Sequence, residues 1–260
     1  MITWQPDPVA FHLGPLSLRW YTLFFTLGYV LGYGLFKKLL FGQKISARHV
    51  DVLLLLAVLL SIAGARIFHV LFYDWAYFSK HPGEILQVSA GGLASHGGGL
   101  GLVSAAWLWC RWLRRDLKPE LVVDLLTLPC ALADGLIRIG NFFNSELVGT
   151  PSHLPWAIVF ARVDAHPRHP VQLYEAVAYL ALFLLLWGLH QRQIPRLAPG
   201  RLGLTGLFLL GIFVPRFLLE YLKEPPGLTP FLGPFTTGQA LSLPFILAGA
   251  FFSFRALRRP

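Results

Sequence analysis

Seven stretches of this chain, each about 20 residues long, are apolar enough to span a lipid bilayer. That pattern leaves few folds open. Inside a bilayer only helices and closed barrels satisfy their own backbone hydrogen bonds. The windows are 16–36, 50–73, 91–113, 121–143, 170–190, 203–222 and 238–255. Those at 91–113 and 121–143 are interrupted by Gly, His, Asp and Arg. Charged residues make up 13% of the chain, about half the ~25% of a soluble domain. A water-exposed surface cannot be built from so few. The reading is an all-α integral membrane protein, one domain over residues 1–260, with 144–169 as an external loop. The first apolar run has no basic residue before Arg19 and no small-residue cleavage site, so it reads as a retained helix.

Basic residues orient the windows, because Lys and Arg collect in cytoplasmic loops. Lys37, Lys38, Lys44 and Arg48 follow the first window, and Arg111, Arg114, Arg115 and Lys118 follow the third. Arg192, Arg196 and Arg201 follow the fifth, and Arg255, Arg258 and Arg259 end the chain. The alternate connections hold Lys80, Arg162, Arg168 and Lys223 alone. The expected arrangement has the N-terminus outside and the C-terminus in the cytoplasm. The net charge of +9 then follows from topology, and no nucleic-acid partner is needed. Residues 1–15, with Trp4 and Phe11, and the 144–169 loop, with Trp156 and Phe160, read as surface segments at the membrane interface. Cys110 and Cys130 are isolated, which argues against a zinc site or a disulfide scaffold.

Four arginines, Arg19, Arg66, Arg138 and Arg216, fall inside the windows or near their outer ends. Each costs about 3 kcal/mol at the bilayer centre on insertion scales, so together they point to a polar cavity or an anionic ligand. The run Gly91-Gly92-Leu93-Ala94-Ser95-His96-Gly97-Gly98-Gly99-Leu100-Gly101 permits close helix contact or close approach of a ligand. His96 in its midst is either a buried histidine satisfied by a carbonyl or a functional base. Arg138 and Asn141 share a helix face ahead of Asn144 and Glu146. That group is either an Arg138–Glu146 pair with capping asparagines or a phosphate headgroup site, since guanidinium binds phosphate in two-pronged fashion. Arg216 and Glu220 have the spacing of an intrahelical ion pair, yet also place a second guanidinium near the outer leaflet. In Arg168-His169-Pro170-Val171-Gln172-Leu173-Tyr174-Glu175, Pro170 suits a helix start, while Gln172 and Glu175 share one face inside the span. Asp124, close to the cytoplasmic end, reads as structural. Trp20 and Tyr21 suit an aromatic belt.

These blocks resemble bacterial prolipoprotein diacylglyceryl transferases. The glycine–histidine run resembles the His-Gly-Gly block of that family. Arg138-Ile139-Gly140-Asn141-Phe142-Phe143-Asn144-Ser145-Glu146 resembles its signature. Arg168 to Glu175, Arg216 with Glu220, Gly238-Gln239-Ala240-Leu241-Ser242, Trp20-Tyr21 and Gly64-Ala65-Arg66 match in family order from about residue 8 to 245. The resemblance implies transfer of diacylglyceryl from phosphatidylglycerol to the lipobox cysteine in the signal peptide of a prolipoprotein. A thioether forms and glycerol 1-phosphate is released, at the outer leaflet of the bacterial cytoplasmic membrane, without metal or other cofactor. It implies catalytic roles for His96, Arg138, Glu146 and Arg216, and a headgroup site drawn from Arg138, Asn141, Asn144, Arg216, Tyr21, Arg66 and Glu220. The chain departs from the family at Arg19, where histidine is common, at Leu136-Ile137, at Ser145 in place of glycine, and at Ile212 in place of a tyrosine. The alternative is a phospholipid or anion transporter using the same arginines, against which the lack of an inverted repeat counts. A protease dyad of Ser95 and His96 is poor, because adjacent helical residues project about 100° apart.

Overall fold

The structure is a computed structural model that describes residues 2–14, 16–41, 45–87, 92–223 and 235–258. Lys44 and Arg259 of the basic set, and Gly91 of the glycine run, lie outside the described residues. Among the described residues, seven long helices form the body. They are α1 (Trp20–Phe41), α2 (Ala47–Phe72), α4 (Ser95–Trp112), α5 (Pro119–Asn144), α6 (Val171–Gln191), α7 (Gly203–Leu219) and α8 (Thr237–Arg258); a single-turn α3 (Trp75–Phe78) follows α2. Each long helix coincides with one apolar window, shifted at its ends. The start of the first window is a correction. Residues 16–19 are not helical but form strand β3 (Leu16–Arg19), paired antiparallel with β2 (Val9–Leu13). Leu16 and Leu18 alternate with Ser17 and Arg19, a period of two that a 20-residue hydropathy window averages away.

Among the described residues, five helices are long and apolar enough to cross a membrane: α1, α2, α6, α7 with the 3-10 turn that extends it to Leu222, and α8. The other two, α4 and α5, carry the glycine–histidine run and Asp124, Asp134 and Arg138. α5 packs against α1, α4, α6 and α7. A helix so enclosed meets protein on most sides and needs no unbroken apolar surface. Bare Leu55, Leu59, Val177, Leu184, Leu247 and Phe251 project outward from the other helices, as on a surface that meets lipid.

The glycine run serves first to bring α2 and α4 together. A Cβ on Gly97 would overlap the carbonyl of Gly64, and one on Gly101 the carbonyl of Leu60. Only hydrogen fits where the two backbones touch. At one end of the body, the buried carboxylate of Asp124 accepts hydrogen bonds from the backbone N–H groups of Gly200 (2.9 Å), Leu202 (2.8 Å) and Thr205 (2.9 Å), and from the Thr205 hydroxyl (2.6 Å). It thereby satisfies the open N-terminus of α7 from a neighbouring helix.

At the other end lies a small sheet. Strand β1 (Ile2–Trp4) pairs parallel with β4 (Ile158–Phe160), which pairs antiparallel with β5 (Pro167–Arg168). The chain start and the 144–169 connection are thus one unit rather than two surface segments. Phe142, Ile158 and Phe160 form its core. The Trp4 indole donates to the Phe142 carbonyl (3.1 Å) and its ring lies 4.4 Å from that of Phe142. The sheet is therefore seated directly on the end of α5.

Gly101→Ala should destabilise the protein by about 1–3 kcal/mol, the usual range for forcing an extra methyl into a packed contact. Gly99, with nothing within 4 Å of a Cβ, should accept alanine without loss. Thermal unfolding of the two variants in detergent checks the contrast.

Candidate active site

The site starts where α5 ends. Ser145 takes a left-handed conformation (φ 56°), its N–H donates to the Phe142 carbonyl (3.1 Å), and the N–H of Glu146 donates to the Asn141 carbonyl (3.0 Å). This paired closure ends the helix and folds the chain back on itself. Glycine suits such a position best; serine here, followed by Leu147 at φ 55°, stores local strain of the kind found at functional sites. The fold-back brings the Glu146 carboxylate over the last turn of α5. It accepts from the Asn141 amide (3.1 Å) and the Asn144 amide (3.0 Å). The side-chain oxygens of Asn141 and Asn144 have no partners among the described residues. Gln172, fully buried at the start of α6, donates to the Glu146 carbonyl from below. Gly140 lets α1 approach, since a Cβ there would sit 3.2 Å from Tyr21 Cα. Tyr21 thus joins the turn.

Arg138 does not pair with Glu146. Its Nε lies 3.0 Å from Oε2 of Glu175, a wholly buried carboxylate on α6. That contact is an ion pair by distance but is not aligned as a hydrogen bond. The other Glu175 oxygen takes Lys223 Nζ at 2.8 Å, and Lys223 also reaches Glu220 (3.4 Å). Glu220 in turn accepts from the Thr236 hydroxyl (3.2 Å). The Arg216–Glu220 pair allowed by their spacing is likewise absent among the described residues. Arg216 keeps a buried Nε with no partner, and its charge acts on Glu175, Tyr179, Asp134, Tyr73 and His96. Two guanidiniums from α5 and α7 therefore face one interior. Tyr179, beneath Arg138 at 6.0 Å, packs in the same core as Ile212.

His96 is not satisfied by a carbonyl. It is 1% exposed, and neither ring nitrogen has a partner among the described residues. Its ring lies among those of Phe213 (5.5 Å), Phe245 (5.6 Å) and Phe68 (6.3 Å). Phe213 stands one turn before Arg216 on α7, so the imidazole of α4 and the guanidinium of α7 share a neighbourhood. Two buried, unfilled ring nitrogens are costly unless a ligand or water completes them. Arg66 is placed differently. Its guanidinium donates to the carbonyls of Ile85 (2.7 Å), Glu84 (2.8 Å), Gly92 (3.2 Å) and Gln87 (3.3 Å), and lies 4.8 Å from the Phe78 ring. It ties down the connection that leads into the glycine run.

Sequence reasoning overlooked Glu175 and Lys223 as parts of this group. Glu175 was visible as an acid inside a span, but its partner sits on another helix. Lys223 follows Arg216 by seven residues and Glu220 by three, a same-face spacing that could have placed it here. Above the turn, the sheet is locked by buried Arg168, which donates to Gly149 O (3.0 Å) and to the Asp164 carboxylate.

Fold and site together define a membrane-embedded helical enzyme whose interior presents cations and an unfilled imidazole. The chain belongs to the prolipoprotein diacylglyceryl transferase family, whose model matches residues 8–255, and it is a transferase. Similar relatives carry the name phosphatidylglycerol–prolipoprotein diacylglyceryl transferase. The one from Tolumonas auensis is 40% identical over 250 residues, covering 96% of this chain and 95% of its own. Those from Cupriavidus necator (42%, covering 98% and 94%) and Chloroherpeton thalassium (38%, covering 99% and 95%) span both chains as fully. Family membership favours the transferase over the transporter.

Hydrogen bonds from Arg168, and then from the His166 N–H, hold the Asp164 carboxyl at about 2, below the usual 3.8. A carboxyl depressed in the folded state stabilises it above the unfolded pKa, and that contribution fades as pH falls through the folded one. Asp164→Asn should therefore lower the unfolding temperature at neutral pH and make no difference below about pH 2. Thermal unfolding of both proteins across that range checks it.

Proposed function

We propose that this protein transfers the diacylglyceryl group of phosphatidylglycerol to the lipobox cysteine thiol of a prolipoprotein, giving a thioether and glycerol 1-phosphate. The observation that carries the proposal is the pair of guanidiniums: Arg216, whose buried Nε has no partner among the described residues, and Arg138, held by Glu175 at its Nε. Beside them stand the two open ring nitrogens of His96. The names of the relatives supply the substrates.

In this reading the sulfur attacks the glycerol carbon that bears the phosphate. The S–C bond forms as the C–O bond breaks, and the electron pair leaves with the phosphate oxygen. Charge grows on that phosphate, where fixed cations act most strongly; Arg138 and Arg216 hold it from two helices. A free cysteine thiol has a pKa near 8.5, so its proton must be taken or its pKa lowered. His96 accepts that proton, and the cationic field favours the thiolate. The open side-chain oxygens of Asn141 and Asn144 receive hydroxyls of the glycerol head, with Glu146 setting both amides and Tyr21 flanking them. Glu220 serves the same site from the 3-10 turn that follows α7. Arg66 contributes by holding the carbonyls of Glu84, Ile85, Gln87 and Gly92.

The orientation follows the basic residues. All seven long helices span the membrane, α5 as an enclosed member and α4 packed on α2 with Leu100, Val103, Trp107 and Trp112 facing outward. The N-terminus and the sheet lie outside and the C-terminus lies in the cytoplasm, so the site opens toward the outer leaflet of the bacterial cytoplasmic membrane. Lys37, Lys38, Arg48, Arg111, Arg114, Arg115 and Lys118 support this, for all lie at helix ends away from the sheet.

Purified protein, phosphatidylglycerol vesicles and a lipobox peptide test the proposal by mass detection of the thioether. Arg138→Ala and Arg216→Ala should each lower turnover by about 100-fold or more, as loss of a transition-state donor does elsewhere. Full activity in Arg138→Ala would remove the phosphate role.

A further inference from the structure

Lys223 has no part in the transfer steps, yet its position is unusually well determined. Its backbone forms an antiparallel bridge to Gly149, and next to it the Thr150 N–H donates to the Leu222 carbonyl (2.7 Å). Its side chain is 12% exposed and runs inward to Glu175 and Glu220. The segment just past the signature turn therefore holds in place the ammonium that the two carboxylates share.

We propose that Lys223 is a positioning residue that limits Glu175 to a one-oxygen contact with Arg138 and keeps Glu220 off Arg216, so that both arginines of the phosphate site stay open to an anion. The inference rests on the reading of Arg138 and Arg216 as that site. The charges make the case. Arg138, Arg216 and Lys223 supply three cations; Glu175 and Glu220 supply two carboxylates, and Asp134 on α5, close enough to interact with both arginines, is a third acid. With Lys223 engaging Glu175 and Glu220, Arg216 keeps an Nε without a partner among the described residues and Arg138 meets Glu175 through a single contact. Glu220 lies one helical turn beyond Arg216, the spacing of an intrahelical pair, but faces Lys223 and Thr236 instead. Glu175 touches Arg138 through one oxygen and Lys223 through the other. Without the ammonium, a buried carboxylate turns to the nearest remaining cation, since leaving it unpaired is expensive. Glu175 would then close on Arg138 and Glu220 on Arg216. A phosphate would have to displace a carboxylate to enter.

The test compares Lys223→Met, Lys223→Arg and the double variant Lys223→Met/Glu175→Gln in the full chain, with phosphatidylglycerol and lipobox peptide. Wild-type protein is assayed first; no thioether there would overturn the functional reading itself, separately from this inference. With active wild type, Lys223→Met should raise KM for phosphatidylglycerol about tenfold while kcat stays within about threefold, the signature of lost substrate binding. Lys223→Arg should stay within about threefold of wild type in both. The double variant removes the released carboxylate with the lysine and should recover most of the lost KM. An unchanged KM in Lys223→Met, equal damage in Lys223→Arg, or a double variant no better than the single one would overturn the proposal, since a purely structural tie gives no rescue. If Lys223→Met is not recovered folded, the double variant decides: near-wild-type KM supports the inference and a tenfold rise defeats it.

Discussion

The organising constraint of this protein is positive charge held largely inside a helical body. A guanidinium within a bilayer costs about 3 kcal/mol on insertion scales even after it adjusts, and here two of them converge from α5 and α7. Their surroundings place acids beside the charge while the Arg216 Nε stays open among the described residues. The links run from Arg138 to Glu175, Lys223, Glu220 and Thr236, joining α5, α6, α7 and the residue that leads into α8. Each link is buried or half-buried, so it is little screened. Removing one partner leaves another charge stranded, which makes the group stable as a whole and sensitive at every member.

The rest of the architecture serves to hold groups against that interior. Glycine contacts between α2 and α4 allow the start of α4 to carry His96 inward. The left-handed Ser145 reverses the chain so that Glu146 can grip Asn141 and Asn144. The sheet formed by the chain start and the 144–169 connection sits on α5 through Trp4 and Phe142. Asp124 does comparable work far from the chemistry, closing the N-terminus of α7 and so fixing the helix that bears Arg216.

Much of this was legible in the sequence because the signals are local. Twenty apolar residues in a row describe a helix whatever surrounds them, and Arg138, Asn141 and Glu146 lie within three turns of one another. What escaped was decided at long range or at a shorter period. Ile2 pairs with Ile158, and nothing near either residue announces the other. The two-residue alternation of β3 vanished inside an apolar window. Of the ion pairs the spacing allowed, Arg138 with Glu146 gives way to Arg138 with Glu175, because a buried acid on a neighbouring helix competes on equal terms with one nearby in sequence, and Glu220 meets Lys223 three residues on rather than Arg216. Lys223 was read as a topological charge because its partner Glu175 lies on α6.

The most direct measurement is the distance between lipid phosphorus and arginine nitrogen in the assembled membrane. Protein labelled with 15N-arginine, reconstituted with phosphatidylglycerol, can be examined by solid-state 31P–15N dipolar recoupling. A phosphate held by both guanidiniums predicts strong recoupling to two arginine side chains, reduced by half when either Arg138 or Arg216 is replaced by lysine. Recoupling that is absent, or that persists unchanged in both replacements, would contradict the account.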